Sequence, residues 1–67
     1  MKYDFGAGPV DAHQHANGGG WVADTATVDV TAYVGPDARV YGNAQVYGNA
    51  WVYGNAWVSG NARVSGA

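Results

Sequence analysis

Residues 20–67 predict an all-β fold, a β-solenoid of short stacked strands, on three observations. Valine recurs at every sixth residue, at Val22, Val28, Val34, Val40, Val46, Val52, Val58 and Val64. A small residue stands two positions before each: Gly20, then Ala26, Ala32, Ala38, Ala44, Ala50, Ala56 and Ala62. Between these pairs lie turn-forming residues, Gly-Asn at 42–43, 48–49, 54–55 and 60–61. A helix cannot use a period of six, and a Gly-Asn pair in four successive repeats would break it. On a strand, residues two apart point to the same side, so Ala and Val of each hexad share an inner side. Glycine and asparagine tolerate the positive φ of a tight turn. A unit this small cannot bury its apolar side alone and has to stack on its neighbours.

The composition agrees and excludes several functions. The chain has 67 residues, enough for one small domain that would be marginal as a monomer. It has no cysteine, which removes disulfides, thiolate metal sites and cysteine nucleophiles. Leucine and isoleucine are absent, and alanine with valine supplies most of the apolar content. A narrow interior explains this, because Ala and Val fill it and Leu would overpack it. Three basic and five acidic residues, all the acids Asp, give a net charge of −2. That balance offers no basic patch for nucleic acid and no polybasic membrane anchor. The first residues have no apolar run of signal-peptide length, and nothing approaches a transmembrane span.

Taken in order, residues 2–5 predict a short strand, 6–9 (Gly-Ala-Gly-Pro) a breaker, and 10–15 a second strand. Asn17-Gly18-Gly19-Gly20 reads as a flexible hinge. Residues 1–19 are thus expected to be an irregular N-terminal segment, a cap or docking arm. Residues 20–67 form the solenoid, in the hexads GWVADT, ATVDVT, AYVGPD, ARVYGN, AQVYGN, AWVYGN, AWVSGN and ARVSGA. A degenerate further hexad at 14–19 would bring residues 14–67 to three whole coils.

These eight uninterrupted hexads resemble the hexapeptide-repeat, left-handed parallel β-helix family. Distantly they are similar to the trimeric hexapeptide acyltransferases and gamma-class carbonic anhydrases. In regularity they resemble the short "VYGNA" repeat proteins of bacteria and phages. The resemblance implies three hexads per coil, a triangular section, left-handed crossovers and a homotrimer. For residues 20–67 it implies about 2.7 coils, or three with the extra hexad. Residues 18 apart then stack. Val22, Val40 and Val58 line face one, Val28, Val46 and Val64 face two, and Val34 and Val52 face three. Trp21, Arg39 and Trp57 run along the outside of face one, where Arg39 would lie between two indoles in cation–π contact. Tyr33, Trp51 and Tyr53 give face three an uncharged aromatic exterior.

Asp11-Ala-His13-Gln-His15 is the one group with a chemical look. On a strand the three polar side chains would share a face, and His-X-His spacing occurs in metal sites. With the carbonic-anhydrase resemblance it nominates Asp11, His13 and His15 as zinc ligands of a small trimeric enzyme. Two histidines upstream of the repeat are fewer than that family uses, and a solvated role is the stronger reading. Ser59 and Ser65 have no base in their hexads, so nucleophilic catalysis has no support. Thr25, Thr27 and Thr31 do not continue into the ranks an ice-binding face needs. The expectation is therefore a non-enzymatic, self-assembling structural protein without cofactor, whose partner is itself. Trimerisation would bury Tyr33, Trp51 and Tyr53, and end-to-end stacking would use Val58, Val64 and Ala67, as the C-terminal hexads carry no cap. A carbohydrate-binding module using the aromatic face is the further alternative.

Overall fold

The computed structural model describes residues 1–6 and 8–66. Among these residues ten short strands follow one another: β1 (Lys2–Asp4), β2 (Pro9–Gln14), β3 (Trp21–Ala23), β4 (Thr27–Val28), β5 (Tyr33–Val34), β6 (Arg39–Val40), β7 (Gln45–Tyr47), β8 (Trp51–Val52), β9 (Trp57–Val58) and β10 (Arg63–Ser65). From β3 onward every strand pairs in parallel with the strand three places along. Trp21 sits opposite Arg39 and Arg39 opposite Trp57; Thr27 is opposite Gln45 and Gln45 opposite Arg63; Tyr33 is opposite Trp51. Each pairing has a separation of 18 residues, three hexads per turn. The result is an all-β solenoid with three strand ladders. Among the described residues no helix is long and apolar enough to cross a membrane.

The hexad's small and valine positions make the core. Val22, Ala32, Val34, Ala38, Val40, Ala44 and Val46 are fully buried, and Ala50, Val52 and Val58 nearly so. Val28 and Val64 are half-buried against this cluster rather than enclosed by it. They lie on the lowest and highest rungs of face two, where one neighbouring layer is missing. The corners are held by stacking. Thr25 and Thr31 hydroxyls donate to the carbonyls of Gly42 and Gly48 at 2.5 and 2.8 Å, and Asp29 Oδ2 accepts the Gly48 N–H at 2.7 Å. These threonines fasten one corner to the corner above. In the Tyr-Gly-Asn turns glycine takes the left-handed φ, +69° at Gly42 and +62° at Gly54. A side chain at that φ is strained.

Residues 1–19 carry their two expected strands, as Lys2–Asp4 and Pro9–Gln14, and these lie against the chain's own solenoid. β1 and β2 form an antiparallel hairpin, and β2 pairs antiparallel with β3, with His13 opposite Val22. Face one thereby becomes a five-stranded sheet in the order β1-β2-β3-β6-β9. Asp4 shapes the hairpin loop, its Oδ1 accepting the N–H groups of Gly6 and Gly8 at 2.7 and 3.2 Å.

The expected flexible hinge is instead a close-packed crossing. Asn17 O accepts from Val34 N–H at 3.0 Å and Gly20 N–H donates to Val34 O at 2.9 Å, so residues 17–20 close the lower edge of β5. A Cβ on Gly18 would collide with the Val34 carbonyl, and one on Gly20 with the carbonyl of Gly35 and the Val34 side chain. Gly18 and Gly20 serve close approach, while Gly19, at φ +81°, meets nothing within 4 Å. The extra hexad at 14–19 does not form, because Ala16 is exposed and the 18-residue register begins at Trp21.

Candidate functional site

The three polar residues nominated by the sequence are not brought together. Asp11 lies on β2, where its Oδ1 pairs with Lys2 Nζ at 2.9 Å. That hydrogen bond, and then the ammonium charge, hold the Asp11 carboxyl below the usual carboxylate range. His13, exposed on the same strand, donates from Nδ1 to Asp24 Oδ1 at 2.8 Å; a carboxylate only accepts, so the proton is on Nδ1. His15 does not continue their face. The strand ends at Gln14. His15 N–H then donates to Gly20 O at 2.7 Å as the chain turns beneath face three. The ring is turned inward and buried, with Nε2–H donating to Ala32 O at 2.8 Å. Three side chains with three different partners do not make a ligand set. Among the described residues no three His, Cys, Asp or Glu groups converge as a metal site would need.

Apart from Tyr47, exposed on face two, the aromatic residues separate into two surfaces. On face three Tyr33 is half-buried and tilts against Trp51 at 5.0 Å between ring centres, while Trp51 and Tyr53 are each 66% exposed. On face one the N-terminal hairpin adds its own rings. Tyr3 stacks on Trp21 at 4.6 Å and Phe5 on Tyr41 at 5.0 Å. This corrects the expected partners of Arg39. The guanidinium lies over Trp57 at 5.0 Å and over Tyr3 at 5.7 Å, and its Nε–H donates to the Tyr3 hydroxyl at 2.7 Å. Trp21 is occupied by the tyrosine that came between them. Of the residues expected at an end-to-end contact, Val58 is buried and Val64 half-buried, and Ala67 lies outside the described residues. The exposed inward positions of the last coil are Ala56 and Ala62; their counterparts one coil lower, Ala38 and Ala44, are fully buried.

A feature not foreseen from the sequence is a cleft of about 400 Å³ between the hairpin and the first solenoid corner. Its walls include Phe5, Val10, Ala23 and Tyr41, and Asp11 and Asp24 stand in its lining. The signal that marks it is a lapse in the repeat. Where later corners on this edge read Tyr-Gly-Asn (41–43) and Ser-Gly-Asn (59–61), the first reads Ala-Asp-Thr (23–25). Alanine in place of tyrosine leaves room for Phe5, and aspartate in place of glycine puts a carboxylate at the opening.

Comparison with known proteins bears on the repeat. Residues 38–54, 44–60 and 56–67 each match the model described as the YdcK beta solenoid repeat. The chain is a β-solenoid repeat protein. The matched windows begin at Ala38, so the hairpin and the first corner of the solenoid lie outside them. No curated protein and no solved structure matches the chain.

Proposed function

We propose that this left-handed hexapeptide solenoid is a non-enzymatic structural module that assembles with copies of itself, laterally as a homotrimer through face three and end to end through its last coil. The observation that carries the reading is the pair Trp51 and Tyr53, large rings 66% exposed on a face whose outward positions in the ladder (Tyr33, Gly35, Trp51, Tyr53) carry no charge. Arg39 and Arg63 lie on the other two faces. Exposed aromatic groups of this size are the anchors of protein interfaces.

The test is the mass of the protein in solution, with electron microscopy of the same sample. Trp51→Ala should weaken the assembly by about 3–5 kcal/mol if the ring becomes fully buried there. An unchanged mass and melting temperature would remove face three from the interface. The same two rings favour one second reading, a carbohydrate-binding face on which sugar rings stack. Glycan binding by a monomer that is lost in both Trp51→Ala and Tyr53→Ala would select it. The zinc-enzyme reading is not carried forward, since Asp11, His13 and His15 each answer to a different partner.

A further inference from the structure

The cleft beside the hairpin shares no lining residue with the surfaces proposed for lateral or axial assembly, and its chemistry selects a different kind of partner. We infer that it binds a small organic cation: a protonated amine carried on an apolar or aromatic body. A volume of about 400 Å³ suits a ligand of that size. The walls are apolar, with Phe5 and Ala23 buried and Tyr41 half-buried at the back and Val10 at the opening.

The charged residues that line the cleft are both carboxylates, Asp11 and Asp24, with the Lys2 ammonium against the first and the His13 ring against the second. Asp24 N–H donates to the Asp11 carbonyl at 2.9 Å, which brings the two carboxylate-bearing residues side by side across β2 and the corner. Neither arginine of the chain lines the cleft. Asp11 and Asp24 are each engaged through Oδ1, by Lys2 and His13, and among the described residues no donor bonds to either Oδ2. The Lys2 pair is solvent-exposed, with both side chains about two-thirds accessible, so it contributes little to hold the opening shut.

An anion entering here would meet two carboxylates in the lining, with the solvent-exposed Lys2 ammonium alone to offset them. A neutral apolar molecule would gain the walls alone. An ammonium ion gains the walls, two free acceptor oxygens and proximity to the Phe5 and Tyr41 rings, which attract cations. The walls are also set in advance. Asp4 Oδ1 holds the N–H groups of Gly6 and Gly8, and the Thr25 hydroxyl ties the corner to Gly42. A preformed cleft loses less ordering entropy on binding.

Phenethylamine, titrated into the intact chain and followed by amide NMR shifts, tests this, with phenylacetate and 2-phenylethanol as anionic and neutral counterparts of one shape. Saturable shifts at Gly8, Asp11, Asp24 and Thr25 are expected for the amine, with at least about tenfold weaker binding of both counterparts. Asp24→Asn should weaken the amine about fivefold or more. Val10→Trp, at an exposed position on the opening, should fill the cleft and abolish binding while the circular dichroism spectrum is unchanged. The proposal is overturned if the amine shows no saturable shift up to about 10 mM, if phenylacetate or 2-phenylethanol binds as tightly, or if a folded Asp24→Asn protein binds the amine as well as the parent.

Discussion

Gly42 and Gly54 occupy the same place in the same pentapeptide, Val-Tyr-Gly-Asn-Ala, with φ of +69° and +62°. Alanine at either position meets the left-handed penalty of about 1–2 kcal/mol. The stiffer unfolded chain offsets about 0.4–1 kcal/mol of it. There the likeness ends. A Cβ on Gly42 would stand 2.9 Å from the Gly60 nitrogen and 3.3 Å from its Cα, backbone atoms of the corner stacked above, whereas a Cβ on Gly54 meets nothing within 4 Å. Backbone cannot swing aside as a side chain can, so Gly42→Ala carries an added overpacking cost of about 1–3 kcal/mol. For a domain of this size a difference of about 2 kcal/mol separates the two melting temperatures by roughly 8–16 °C. Thermal unfolding by circular dichroism, with both variants and the parent diluted until each is monomeric, measures it. Equal losses in the two variants would refute the reasoning, because they would show that the Gly54 corner is stacked upon as the Gly42 corner is.

Other substitutions bear on the remaining contacts. His15→Ala should destabilise the fold by about 1–3 kcal/mol by leaving the buried Ala32 carbonyl without a donor, and a melting temperature equal to the parent's would contradict that role. Arg39→Ala should speed amide exchange in β1 and β2 about tenfold while β7 and β10 keep their protection, since it removes the bond to the Tyr3 hydroxyl and two ring contacts; uniform loss across the chain would argue against a local clamp. Lys2 depresses the Asp11 carboxyl, so the pair's contribution is present above the ordinary aspartate value of about 3.9 and is lost as pH falls through the lowered folded value. Lys2→Met should move the Asp11 midpoint, read by NMR titration, back toward that ordinary value, and an unmoved midpoint would assign the shift elsewhere. Zinc added to metal-free protein should leave the melting temperature unchanged; a stoichiometric gain abolished by His13→Ala would reinstate the metal reading.

Much of the solenoid is legible in the amino-acid order, because its information is local and repeated. Val34 is buried beneath Val52 for the same reason that Val40 is buried beneath Val58, and one hexad predicts the next. Inner and outer sides follow from alternation along a strand, and the turns follow from Gly-Asn. The aromatic exterior of face three is legible for the same reason, since Tyr33 and Trp51 stand one register apart.

The first twenty residues have no period, and there only the tertiary structure decides. Pattern alone makes residues 2–5 and 10–15 strands, and says nothing of where a hairpin of two such strands would dock. Its place on face one comes from Tyr3 meeting Trp21, Phe5 meeting Tyr41 and Arg39 reaching Tyr3, contacts between residues 18 to 36 positions apart in the chain. Alternation alone would set Asp11, His13 and His15 on one side. The strand ends at Gln14, and the turn that follows buries the His15 ring against the Ala32 carbonyl. The same holds within the repeat at its edges. Gly42 and Gly54 are identical in sequence context and differ in what stands above them. Periodic sequence determines which side of each strand is buried; what covers an edge or fills a corner depends on non-local packing, which no local pattern encodes.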